Sequence, residues 1–426
     1  MNRRYFLKSA SLSAVSLGFL GMPKFFVKTL QAQDLNAPSR DGKVLVNIFM
    51  RGAVDGLNVV VPYGEDNYYS LRSSIAIPRP STRLRQSRQE SRGPTASEDA
   101  ALDLDGFFGV NPRMKNIQKM FQAREAVFIH ASGSPDGTRS HFEAQNFMEA
   151  GTPGVATTET GWLNRTMTQV DGTARTPFEL VAITPELPLS LRGDYPALCF
   201  NSIDELKFGS RDSEEFSSAL AEMYSSSQVL GGSVSILREA MKVAKNSKIR
   251  DDDNSNYPAY PLAKKLHEVA KLIKMNVGLQ IAFVDVEGWD THVNEGGTEN
   301  GVLPNLLKQF DESIKAFRDD LGEKFGNVVV VTMSEFGRTV HENGNGGTDH
   351  GHANVMMVFG GNVNGGRVAG KWPGLNENDL YQGRDLALAT DFRTVLSEAI
   401  TKHLGVQDVA PVFPGFEYSG SNLVFG

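Results

Sequence analysis

Asp349, His350 and His352 fall within four residues of one another in "GGTDHGHANVMMVFGG", a stretch from Gly346 to Gly361 that also holds five glycines. A glycine-rich turn needs polar residues, but it has no need of imidazoles. Other acids and histidines gather in similar places: Asp55 in "RGAVDG", Asp290 and His292 in "GWDTH", and Glu335 in "SEFGRT". Five of the eight histidines (His141, His292, His341, His350 and His352) lie in these loops. Carboxylates with imidazoles, and no thiolate among them, suit zinc, manganese or iron. Asp55, Asp290, His292, Glu335, Asp349, His350 and His352 are therefore the candidate ligands, enough for one or two divalent metals. Such a centre stabilises charge on a transferring phosphoryl or sulfuryl group.

Each residue also has a structural reading. Asp55 before Gly56 can make a turn, and Asp290 and His292 can hydrogen-bond locally beside Trp289. Glu335 can pair with Arg338, and His341 sits in a polar loop. In "TRSHFEAQNFMEAG", Ser140 and Glu143 fit the S-x-x-E capping box that opens a helix. A serine there also sits at the positive end of the helix dipole, where a nucleophile gains. Ser140 is thus a candidate nucleophile, and the neighbouring Arg139 a candidate two-pronged partner for an anionic group. His141 is either a ligand or a packing residue of the first helical turn.

The elements that would position these groups are legible. "LVNIFM", "AVFIHA", "LQIAFVDV" and "VVVVTM" are nearly continuous apolar runs, each running out into one of the polar loops. Runs of that kind alternating with helices predict an α/β fold. Its mostly parallel central sheet would be covered by helices on both faces. Ligand sites of such sheets lie beyond the carboxyl ends of the strands, so parallel strands would bring four loops to one edge. "NLLKQFDESIKAFRDDLGEKF" carries helical spacing, "ANVMMVFGG" is a further strand, and "ATDFRTVLSEAITKHLG" a closing helix. The expected organisation is one large domain over 40–424, with a mobile surface insertion at 77–100 and a helical insertion at about 202–274.

Composition narrows the partners. A net charge of −7 over 426 residues argues against a nucleic-acid surface. The single cysteine, Cys199, excludes a disulfide framework within the chain and reads as a buried structural thiol. The start, "MNRRYFLKSASLSAVSLGFLGM", places Arg3 and Arg4 before a short apolar stretch, the pattern of a twin-arginine export signal. It would end near Ala32. The stretch is too short and too serine-rich for a membrane span. The twin-arginine translocase is thus an expected partner, and the periplasm or exterior the expected location.

With that signal, the motifs "RGAVDGLN", "RSHFEAQNFMEAG", "GWLNR", "GWDTH", "SEFGRT" and "GTDHGHAN", in this order, resemble an exported bacterial family of unknown function, DUF1501. The resemblance covers nearly all of the chain after the signal. It implies an alkaline phosphatase-like fold, with one or two metals and a Ser, Thr or formylglycine nucleophile. By that resemblance Asp55 is the first-strand metal aspartate, and Ser140 or Thr138 stands at the nucleophile position. Asp290 with His292 matches the central Asp/His pair, Glu335 the acid after the next strand, and His350 or His352 the last ligand. The sequence departs from the wider superfamily in three ways. Ser334–Glu335 stands where an Asp–His dipeptide is usual, the acid and histidine of "WDTH" are unusually close, and the C/S-x-P-x-R signature of formylglycine sulfatases is absent.

The reading that follows is an exported metal-dependent hydrolase for phosphate or sulfate esters. Its alternatives are a non-catalytic relative binding a cell-surface glycan or protein, and a metal enzyme of another class such as a phosphomutase or lyase.

Overall fold

The computed structural model describes residues 42–80, 99–170, 176–206, 240–242, 256–298 and 300–426. The export signal, the middle of the expected insertion at 77–100 and most of the helical stretch before residue 256 lie outside them.

Twelve strands are described: β1 (Val44–Met50), β2 (Val60–Val61), β3 (Leu102–Asp103), β4 (Gly109–Val110), β5 (Ala126–Gly133), β6 (Leu180–Ala182), β7 (Leu198–Cys199), β8 (Ile281–Val286), β9 (Val328–Met333), β10 (Asn354–Gly360), β11 (Arg367–Ala369) and β12 (Thr390–Asp391). Nine form the central sheet in the order β11-β5-β10-β9-β1-β8-β6-β7, with β12 also on β5. β1 runs parallel to β8 and β9, β6 parallel to β7 and β8, and β11 and β12 parallel to β5. Only β10 opposes its neighbours, β5 and β9. The sheet is mixed α/β and mostly parallel, as its apolar strands require.

Successive residues of β1 serve opposite faces. Val44, Val46, Ile48 and Met50 join one core, Leu45 and Phe49 the other. The first core is closed by α3 (Lys115–Gln122), α6 (Pro261–Met275) and α7 (Val302–Leu321). α7 presents Leu303, Leu307, Phe310, Ile314, Phe317 and Leu321 at steps of four and three, a stripe that is wholly buried. The second core is closed by α5 (Trp162–Val170) and α8 (Phe392–Glu398), with Met148 from α4 (His141–Ala150). Burying a Leu, Ile or Phe side chain contributes about 1.5–3 kcal/mol, so each stripe holds its helix firmly to the sheet.

"GLNV" after Asp55 forms a helical turn, α1 (Gly56–Val59), before the two-residue β2. Residues 261–275, placed within the helical insertion, are instead a layer helix: Leu262, Leu266, Val269 and Leu272 enter the first core. α2 (Asp66–Leu71) follows β2 and leads into the wholly buried Arg72. The amino-terminal end of the expected mobile insertion is fixed, since Ile77 is buried and its N–H donates to Tyr68 Oη at 2.9 Å. Cys199 is buried in β7, as its apolar neighbours indicate. Among the described residues no helix is long and apolar enough to cross a membrane.

Candidate metal centre

The loops after β1, β5, β8 and β9 leave one edge of the sheet, because those strands are parallel. The segment 346–353 reaches the same edge because β10 runs the other way and begins there. It is stitched to the loop after β9: Gly337 N–H donates to His352 O at 2.7 Å, Gly351 N–H to Gly337 O at 2.8 Å, and Thr339 N–H to Asp349 O at 2.8 Å. The glycines make this approach possible. A Cβ on Gly351 would lie 2.4 Å from the Arg338 carbonyl group, and one on Gly347 would lie 2.5 Å from that of His292.

Here three imidazoles meet one carboxylate. His350 Nε2 lies 3.0 Å from His141 Nε2 and 2.9 Å from His292 Nε2. Asp290 Oδ1 is 3.0 Å from His292 Nε2 and 3.3 Å from His350 Nε2, and Asp290 Oδ2 is 3.4 Å from His141 Nε2. The other nitrogen of each ring faces an obligate acceptor. His141 Nδ1 donates to Glu335 Oε1 at 2.8 Å, His292 Nδ1 to Asp349 Oδ1 at 2.9 Å, and His350 Nδ1 to the Arg139 carbonyl at 2.9 Å. Those bonds fix the tautomers: the hydrogen sits on Nδ1, and Nε2 presents a lone pair. Three lone pairs and an anion facing one another at this distance repel unless a cation lies among them. Donors bonded to zinc at 2.0–2.1 Å in a tetrahedron stand about 3.3 Å apart, close to the separations of His350 from the other two rings and of Asp290 from all three. His141, Asp290 and His350 have donor atoms all within 4.8 Å of one another, a set that His292 adjoins through His350 and Asp290.

Charged neighbours hold the cluster. Burial alone would push the Asp290 carboxyl up, but Arg338, His292 and His141 outweigh it and hold it below the ordinary range. Arg338 Nη1 donates to Asp290 Oδ1 at 2.9 Å. Burial would likewise raise Glu335, but bonds from His141, Gln145 and the Gly52 N–H lower it. The Glu335 contact raises His141, whereas burial lowers His350. His292 and Asn343 bonds hold Asp349 down. Gln145 is oriented by Arg51, which donates to its Oε1 at 3.0 Å and to Glu149 and Asp285, each at 2.9 Å. The four inward residues are a quarter to nearly half exposed in their side chains, so the centre is open to solvent.

Residues 42–412 match the family described as "Protein of unknown function (DUF1501)". The chain belongs to that family. No curated protein matches it. Similar solved structures include the PsFucS1 sulfatase from Pseudoalteromonas sp., at 13% identity and a TM-score of 0.40, covering 89% of this chain and 71% of that one. The lipoteichoic acid synthase LtaP from Listeria monocytogenes aligns at 8% identity and TM-score 0.36, covering 98% of this chain and 81% of that one. Ps i-CgsB in complex with k-i-k-neocarrahexaose aligns at 9% and 0.37, over 89% and 75%.

The structure of this DUF1501 chain sorts the candidate residues. Asp290, His292 and His350 come together, joined by His141. Glu335 and Asp349 stand behind the imidazoles, holding His141 and His292 respectively. Two others lie apart. Asp55 is wholly buried in a two-pronged ion pair with Arg72, because the guanidinium meets both of its oxygens. His352 turns away and stacks on Tyr381, ring centroids 4.1 Å apart. Arg338 pairs with Asp290 rather than Glu335, and His341 is exposed. Ser140 is the N-cap of α4, but its side chain makes no capping bond, and Glu143 accepts from Thr138 Oγ1 at 2.7 Å instead. Arg139 donates from Nε and Nη2 to buried Asp385, at 3.1 and 2.5 Å, and to Gln382. Sequence reasoning left His141 open because a histidine at the first helical position looks the same whether it packs or binds. Gln145, one turn further along α4, is a further sequence signal: it faces the same side at i+4.

Proposed function

We propose that this chain is an exported metal-dependent hydrolase acting on phosphate or sulfate esters, with His141, Asp290, His292 and His350 holding one divalent ion, zinc, manganese or iron. The convergence of three imidazole lone pairs on Asp290, each ring fixed from behind, carries this reading. Second acceptors of this kind are what metal-binding histidines use to set ring orientation and basicity. A bound ion would supply positive charge against the transferring group.

The chain's own residues do the rest. Ser140 stands between Arg139, whose carbonyl orients His350, and His141, so its backbone is fixed beside the centre. Its Oγ makes no capping bond, which leaves the hydroxyl available for attack. In the proposed reaction the Oγ–P or Oγ–S bond forms and the ester bond to the leaving oxygen breaks. The serine proton passes to solvent and the leaving alkoxide takes one up; water then releases the anion from Ser140. Arg139 would orient the anionic group on exchanging part of its bond to Asp385. Export through the twin-arginine translocase to the periplasm or exterior is proposed from the sequence alone.

The side chain of Arg139, already held by Asp385 and Gln382, favours a second reading: a non-catalytic member that keeps the metal and binds a cell-surface glycan or protein. Aryl phosphates, phosphodiesters and aryl sulfates assayed on metal-loaded wild type and Ser140→Ala separate the two. The hydrolase reading expects turnover of one class and its loss in Ser140→Ala. Equal rates in both proteins would remove Ser140 from the mechanism, and no turnover of any class with metal bound would favour the binding role.

A further inference from the structure

We infer that the centre binds a single metal ion, and that a buried arginine occupies the place beside Asp55 where a second would sit. The inference rests on the metal reading above and settles the one-or-two question that the donor types leave open.

Asp55 follows the first strand, at the same sheet edge as the cluster, and by residue type it could hold a second ion. Both of its oxygens are instead engaged by Arg72, Nη1 on Oδ2 and Nη2 on Oδ1 at 3.0 Å. The guanidinium is anchored on its remaining sides. Nε donates to Val340 O at 2.9 Å, Nη2 donates to Thr339 O at 2.8 Å, and the group lies 5.9 Å from the Tyr68 ring centroid. Neither Asp55 nor Arg72 is exposed. A divalent ion within about 2 Å of an Asp55 oxygen would touch this guanidinium and repel it.

Charge makes the same point. Behind the cluster lie Asp55, Arg72, Arg338 and Glu295, all buried. Burial, then the charge of Asp55, pushes Glu295 well up, while the Arg72 contact outweighs burial and holds Asp55 below the ordinary range. Glu295 accepts from Thr291 Oγ1 at 3.0 Å and from Thr348 Oγ1 at 2.7 Å. The Asp55 and Asp290 carboxylates each pair with a guanidinium, Arg72 and Arg338 respectively, so a further dication beside Asp55 would meet a buried positive charge already in place. The other acids are also committed: Glu335 Oε1 meets His141, Gln145 and Gly52, and Asp349 Oδ1 meets His292 and Asn343.

The test counts ions and reads their coupling. Full chain exported natively with zinc or manganese in the medium, then desalted without chelator, is assayed for metal per chain by mass spectrometry. The manganese form is also examined by electron paramagnetic resonance. One equivalent per chain and the six-line spectrum of an isolated Mn(II) are expected. Two equivalents, or the denser multiline spectrum of a coupled pair, would overturn the single-ion inference while leaving the metal reading intact. No bound metal would overturn both. Asp55→Asn is expected to keep the one equivalent, and loss of the ion from a folded Asp55→Asn protein would make Asp55 a ligand. Should that variant not fold, the wild-type count and spectrum decide alone.

Discussion

Glu335→Gln tests the centre without removing a donor. Glu335 is fully buried, and its Oε1 accepts from His141 Nδ1, Gln145 Nε2 and Gly52 N, each at 2.8 Å. Its Oε2 faces Ser334 Oγ at 3.3 Å. Glutamine has the same shape: its oxygen can take the place of Oε1, and its NH₂ can donate to Ser334 Oγ. The fold should therefore survive, while the negative charge behind His141 is lost. A hydrogen bond to a charged acceptor contributes about 1.5–3 kcal/mol. Loss of such a partner behind a metal-binding histidine typically lowers affinity by about 10–100-fold. At about 1.4 kcal/mol per decade, the two figures agree. The assay is competition for zinc against a chromophoric chelator, with thermal unfolding of the metal-free protein as the control. Weakening by one to two decades with a nearly unchanged metal-free melting temperature is expected. Affinity within twofold of wild type would refute the view that Glu335 holds His141 toward a metal.

His350→Ala and His292→Ala should each lower zinc affinity by two decades or more, whereas His352→Ala should leave it within twofold, as the same competition assay would show. Arg72→Met leaves the Asp55 carboxylate buried without its partner and should cost about 3–5 kcal/mol, read by chemical denaturation of the metal-free protein. Acid should weaken the fold through His130 and His403, both held neutral by burial with pKa values of about 4 against an ordinary 6.5. His130 has both ring nitrogens engaged, Nε2 donating to Val60 O and Nδ1 accepting from Ala131 N–H, each at 2.9 Å, so protonation must break a bond. Because both folded pKa values are depressed, the stabilisation is complete above about 6.5 and is lost as pH falls through about 4, at about 3 kcal/mol for each histidine. Melting temperatures from pH 7 down to 4.5 should fall, and His403→Gln should flatten that slope; an unchanged slope would refute the assignment.

The apolar runs at Val44–Met50, Ala126–Gly133, Ile281–Val286 and Val328–Met333 were legible because strands covered on both faces must be apolar at every position. Their order of polar loops was legible too, since parallel strands release their carboxyl ends on one side. What depended on the tertiary fold is which atoms meet. Asp55 and Asp290 both follow a strand at that edge, yet Arg72 takes the first and the imidazoles surround the second. His350 and His352 are near neighbours in one loop, but the Arg139 carbonyl turns one ring inward and Tyr381 stacks the other aside. Types and spacing along the chain determined which acids and histidines gather at that edge. Which of them meet was decided by long-range partners that compete for each lone pair, and those are set only when the sheet brings the loops together.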